Sequence, residues 1–298
     1  VYAWDFSVRG AHLDTTHGFF NGTSVFLRME GKAEESCLVD IEPPPGAAYR
    51  RWRVATAMTP AGARPHGFGT YAASGYDELI DHPVEMGEFT LLAFQARGVA
   101  HEVAITGRHD ADEARLARDL KRLTEHHIDF FGRPAPMRRY VFIVTAVGEG
   151  YGGLEHRAST ALLCSRHDLP LVAGSEAQEE RYRTFLGLAS HEYFHTWNVK
   201  RIKPAAFTPY DLAQENYTRL LWAFEGITSY YDDLALVRCG LMTREQYLRA
   251  LARTLTAVQR GSGRLKQSLA DSSFDAWIKY YRQDENAPNA IVSYYAKG

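Results

Sequence analysis

The sequence is short of cysteine. Cys37, Cys164 and Cys239 are widely spaced and form no CxxC pair. Such a set argues against a disulfide framework and against a cysteine zinc site. Excess charge of either sign is lacking too, with 34 basic against 36 acidic residues and a formal net charge of -2. That balance leaves no electrostatic footprint for nucleic acid or an anionic membrane surface. No apolar run approaches the roughly 20 residues of a membrane span. A Gly-x-Ser-x-Gly nucleophile elbow, a P-loop and a paired-cysteine redox motif are all missing. The stretch GYGGLE, Gly150 to Glu155, falls short of a dinucleotide-binding GxGxxG. The chain opens on Val1, with neither an initiator Met nor a signal-like segment. Unpaired cysteines fit the cytoplasm, and the periplasm is the alternative if a leader precedes Val1, so the compartment is left open.

What is present is ordinary globular composition, 45% hydrophobic and 23% charged over 298 residues. That suffices for one large domain or two modest ones with a real core. The first part reads as β. Val1 to Val8 carries strand formers in near alternation, and Asn21-Gly22 between two apolar runs is a hairpin signal. Strand character resumes at Trp52 to Thr56, and the Gly-, Ala- and Pro-rich stretch from Pro60 to Gly75 reads as loop. A boundary is placed near residue 80. Beyond it, strands are expected at Phe89 to Ala96, His101 to Thr106 and Tyr140 to Val147. A helix is expected over 110–131, with Asp110 and Glu113 as a capping box. Four further helices are read at about 178–199, 213–238, 243–259 and 270–282. The fold class is α+β, with a β domain over 1–80 and a mixed domain over 81–298.

The strongest chemical signal is HEYFH, His191 to His195. Positions i and i+4 place two imidazoles on one side of a helix, one turn apart. Two neutral ring nitrogens at that spacing can share one zinc ion, and Glu192 can serve a bound water as general base without being a ligand. A catalytic zinc needs a third protein ligand. Glu225 is favoured, because a carboxylate in the apolar, aromatic stretch WAFEGITSYY is costly unless it pairs or binds metal. On spacing alone Glu215 and Asp211 compete. Ser229, Asp232 and Asp233 are candidates to orient a ligand histidine. Arg201 and Lys203 are candidates for substrate contact or for a solvated surface.

Together, HEYFHTWNVKRIKP (His191 to Pro204) and LLWAFEGITSYYDDL (Leu220 to Leu234) resemble the glycyl aminopeptidase family of zinc metallopeptidases. YGGLEH (Tyr151 to His156), SYYAKG (Ser293 to Gly298), FSVRGAHLD (Phe6 to Asp14) and FFNGTS (Phe19 to Ser24) resemble it as well. The resemblance implies an N-terminal antiparallel β domain followed by a thermolysin-like, gluzincin domain with a small sheet and a helical bundle. It also implies that one Zn2+ is held by His191, His195 and Glu225, with Glu192 as the base.

Two further roles follow partly from chemistry. An aminopeptidase must hold a free α-ammonium, and a carboxylate does so through charge-assisted hydrogen bonds. The resemblance offers Glu155, preceded by Gly152 and Gly153, which permit close backbone approach. His156 is read as structural. Tyr295 heads the Tyr-x-Lys-Gly pattern and is implied as the oxyanion donor, with Tyr294 as the alternative. The activity so implied is zinc-dependent removal of an N-terminal residue, small ones such as Gly or Ala preferred, from a peptide with a free amino end. A zinc endopeptidase and an inert peptide-binding scaffold are the alternatives. Family members carry more β structure before VYAWDF, and helix plus a PDZ domain after SYYxKG. The 298 residues are therefore expected to be a portion, with weak activity or poor order near Tyr295. So short a tail after Tyr295 is not expected to close a helix.

Overall fold

The computed structural model describes residues 2–298 and divides the chain into two compact units, residues 1–192 and 193–298. The first opens with two antiparallel sheets. One runs in the order Ala11–Leu13, His17–Phe20, Val84–Gly87 and Arg53–Ala55, and the other in the order Cys37–Ile41, Gly69–Ala73 and Thr59–Pro60. Strand period explains the second. Val39 and Ile41 face a core with Val54, Met58 and Tyr71, while Leu38 and Asp40, which alternate with them, are exposed.

Three local expectations fail in this region. Among the described residues of the first stretch, the pairing is a single bridge between Trp4 and His12. Asn21-Gly22 does not turn a hairpin but opens the short helix Gly22–Val25. Its glycine is there for close approach, since a β-carbon would lie 2.8 Å from the Cα of Ile80. The Pro60 to Gly75 stretch contains the strand Gly69–Ala73, because Tyr71 and Ala73 are buried and tertiary packing overrides the composition.

A five-stranded sheet completes the first unit, in the order Tyr151–Glu155, Ser159–Ser165, Arg139–Val147, Val99–Thr106 and Phe89–Ala96. The three inner strands are parallel and the two edges antiparallel. Central position buries Tyr140 to Val144 on both faces, which is why that run is continuously apolar. The helix Glu113–Phe131 lays Leu116, Leu120 and Leu123 into the core. Its cap is Asp112, not Asp110. Asp112 donates its own N–H to Pro170 O at 2.7 Å, and its side chain accepts from Arg115 N. That anchor starts the helix two residues later than the capping-box pattern suggests.

The helix Glu176–Phe194 carries HEYFH and is docked on the helix Glu113–Phe131 at three levels. Arg115 grips Glu179 with two bonds of 2.8 and 2.6 Å, Tyr182 donates to Asp119 at 3.1 Å, and His127 meets Ser190 Oγ at 2.9 Å. The helix ends at Phe194 rather than near 199. There the N–H groups of Thr196 and Trp197 bond three residues back and tighten the last turn.

The second unit is helical. Helix is delayed well past residue 213, to the π turn Trp222–Gly226 and the helix Ile227–Arg238. The delay has a local cause. Asp211 accepts from Ala213 N, and Asn216 bonds both the N–H and the C=O of Asp211, so side chains compete for the backbone. The helix Arg244–Arg260 follows with a Thr243/Gln246 capping box, then Leu269–Phe274 and a second π turn, Ala276–Tyr280. A last short helix, Tyr294–Lys297, does close, against expectation. Ser293 caps it by accepting from Ala296 N, and it lies directly on the first π turn. Among the described residues no helix is long and apolar enough to cross a membrane.

Candidate metal centre

His191 lies in the last turn of the helix Glu176–Phe194 and His195 directly follows its last residue, so the two are one helical turn apart in the chain. His195 is buried, and its Nδ1 lies 2.7 Å from the backbone carbonyl of Asn198. A carbonyl only accepts, so Nδ1 carries a proton, and in the neutral ring that leaves the lone pair on Nε2. That Nε2 faces Glu225 Oε2 at 3.2 Å. Two lone pairs attract at such a distance only across a shared cation or proton. His195 and Glu225 each offer a ligand atom within 4.8 Å of the other, and His191 stands one helical turn before His195 in the chain. The 3.2 Å separation also suits zinc, since bonds of 2.0–2.1 Å give a tetrahedral edge of about 3.3 Å. Two imidazoles and one carboxylate are a donor set that zinc takes, so the residues fit the ion.

Glu215 is exposed and accepts from Tyr217 at 2.7 Å, and Asp211 is spent on the loop described above. Asp232 accepts from the amide of its neighbour Asp233. The carbonyl of Asn198 is what orients His195, a partner that residue types alone do not reveal. Arg201 donates to Thr196 O at 2.6 Å, and Lys203 reaches Tyr210 OH at 3.1 Å.

In the first unit, Glu192 is 5% exposed and packs against strand Tyr151–Glu155, the outer edge of the five-stranded sheet. The two glycines of that strand differ. A β-carbon on Gly153 would lie 2.1 Å from Glu192 Oε1, whereas one on Gly152 would come no closer than 4.0 Å to Val8. Gly153 therefore makes room for the carboxylate of Glu192. Glu155 and Glu192 offer oxygens within 4.8 Å of each other, a pairing of like charges that invites a cation. His156 is buried, with Nδ1 3.6 Å from Asp81, and Asp81 accepts from Arg157 N at 2.9 Å.

In the second unit, Gly226 follows Glu225 directly. A β-carbon there would lie 2.5 Å from the backbone of Gly298 and 2.8 Å from Tyr294 O, so the glycine lets the last helix seat against the π turn. Tyr294 is fully buried and Tyr295 half-buried. Both phenols approach Tyr281 OH, at 3.4 and 3.2 Å. Burial, then the charge of Glu225, holds the Tyr295 hydroxyl far above its ordinary pKa, so it stays a proton donor. Tyr281 has no motif to announce it, and only the folding of the Ala276–Tyr280 turn brings it here.

Residues 1–88 match the peptidase M61 N-terminal domain, and residues 184–298 match the M61 glycyl aminopeptidase domain. The chain belongs to the M61 glycyl aminopeptidase family. The HEYFH helix end, the π turn and both tyrosines all fall inside the second matched M61 segment. The chain is also similar to the crystal structure of an aminopeptidase N family protein from Idiomarina loihiensis. That likeness has a TM-score of 0.96 and 48% identity, and covers 100% of this chain and 50% of the other. This M61 chain thus spans half the length of that protein. No curated protein matches it.

Proposed function

We propose that this chain is the catalytic portion of a zinc aminopeptidase that removes the N-terminal residue of peptides. The observation that carries the reading is the His195 Nε2 and Glu225 Oε2 pair at 3.2 Å, with His191 one helical turn before His195 in the chain. His191, His195 and Glu225 hold the ion. Bound there, zinc supplies Lewis acidity toward the scissile carbonyl and acidifies water.

The chain's own residues do the rest. Glu192 takes a proton from the attacking water and delivers it to the leaving amine as the C–N bond breaks. The Tyr295 hydroxyl donates to the oxygen that gains charge in the tetrahedral adduct, where a placed donor is worth most. Tyr295 is preferred to Tyr294 because the latter is fully buried. Glu155, close to Glu192, holds the substrate's α-ammonium, which also neutralises the carboxylate pair. Strand Tyr151–Glu155 is at the edge of its sheet, where an extended peptide adds as one more strand. A preference for Gly or Ala at the cleaved end rests on family membership.

The test is a metal-dependence assay on aminoacyl-nitroanilides with free and acetylated amino ends. Activity on free Gly and Ala substrates, abolished by chelation and restored by zinc, is the expected result. Cleavage of blocked peptides alone would make the protein an endopeptidase. No zinc uptake, together with no effect of Glu192→Gln on any activity, would leave an inert scaffold.

A further inference from the structure

We infer that Asn198 is a positioning residue that locks two metal ligands to each other, and that its side chain sets the affinity of the site for zinc. The inference rests on the metal-centre reading above.

Asn198 lies three residues beyond His195, in the tight turn after the helix. Its two ends do different work. The backbone carbonyl accepts from His195 Nδ1 at 2.7 Å and so turns Nε2 toward Glu225. The side-chain amide crosses to the π turn that carries Glu225. There Nδ2 donates to Ala223 O at 3.2 Å and Phe224 O at 3.4 Å, and lies 3.1 Å from Thr228 Oγ1. Phe224 O belongs to the peptide group joined to the nitrogen of Glu225, and it also accepts from Thr228 Oγ1 at 2.6 Å. The amide orientation is dictated by these partners, since carbonyl oxygens only accept.

The arrangement answers a problem created by the π turn. A π turn is a rare, single-turn feature, and its hydrogen bonds run one residue further than in an α-helix. Here Ile227 N bonds Trp222 O across five residues. Such a turn needs support from outside its own ladder, and Asn198 supplies it on the carbonyls just before Glu225. The residue that fixes the ring of one ligand thereby also fixes the backbone under another. Partners of this kind, one step behind the ligands, change metal affinity by about 10–100-fold when removed.

The experiment measures zinc affinity by competition with a chromophoric chelator, and melting of the zinc-free protein, for the full chain and two variants. Asn198→Ala removes the amide without adding charge. Asn198→Asp keeps the shape, sets a carboxylate oxygen against two carbonyls, and adds a negative charge near the site. The expected result is zinc affinity lowered 10–100-fold in Asn198→Ala, and lowered also in Asn198→Asp despite the added charge, which by itself would tighten binding. An affinity of Asn198→Ala within threefold of the parent overturns the inference, whatever its melting temperature. So does tighter zinc binding by Asn198→Asp, which decides the matter alone if Asn198→Ala does not fold. A parent chain that takes up no zinc overturns the metal-centre reading itself, and this inference with it.

Discussion

The carboxylate of Glu192 occupies the space in which any side chain on residue 153 would sit, because a β-carbon there would be 2.1 Å from Glu192 Oε1. A strand of the sheet and a helix of the same unit are therefore fitted to each other at the proposed general base. Gly153→Ala should push Glu192 out of line, and displacement of about 1 Å costs on the order of 100-fold. The expected outcome is a fall of that size in kcat/KM with one zinc per chain retained, read by steady-state kinetics and metal analysis. Gly152→Ala, with open space beside it, should stay close to the parent.

Gly226→Ala should act within the second unit. Its methyl would meet the backbone of Gly298 and Tyr294 O, and backbone cannot swing aside as a side chain can. The last helix must then lift from the π turn and carry Tyr295 with it. A loss in kcat of about 10²-fold is expected, with substrate KM little changed. Tyr295→Phe in the same background should add little further loss, which a double-mutant cycle will read.

Zinc should stabilise the fold as well as activate it, since an ion that binds only the folded chain adds RT ln(1 + [L]/Kd). At 100-fold excess over Kd that is about 2.7 kcal/mol. Thermal melts of the chelated protein should therefore shift upward on adding zinc. Glu225→Ala should abolish the shift and Glu215→Ala should leave it intact.

Stability should fall in acid through buried histidines. Burial holds the pKa of His127 down at about 3 and that of His101 at about 4, against 6.5 in the unfolded chain. Between those values the unfolded chain binds more protons, so stability is lost as pH drops below about 6.5. Each group contributes a slope of about 1.4 kcal/mol per pH unit. His127→Gln, which can still bond Ser190, should flatten the dependence of unfolding free energy between pH 4 and 6 by about that amount.

Asp233 works in the opposite sense. Burial, then the neighbouring charge of Asp232, raises its pKa to about 7 from 3.8. The folded chain holds the extra proton here, so stability is lost as pH rises through that window. Asp233→Asn should raise the melting temperature more at pH 8 than at pH 5.

The broad α+β plan and the one-turn spacing of the two imidazoles were legible in the chain's own periodicity. HEYFH needs only one turn of helix to bring two imidazoles together, and that spacing is a property of local geometry. The β start, the apolar run from Tyr140 to Val147 and most of the helix expected over 110–131 were legible for the same reason, since strand and helix periods are written into burial. Misreadings fell where a distant contact decides a local choice. Asp112 caps a helix because Pro170 holds its N–H, and Gly22 serves a contact with Ile80 rather than a hairpin. No local pattern announces that Asn198 bridges His195 to the π turn, that Gly153 yields space to Glu192, or that Tyr281 joins Tyr295. Each of these depends on the packing of segments remote in the chain, where hydrogen-bond geometry and excluded volume act at distances that no local spacing encodes.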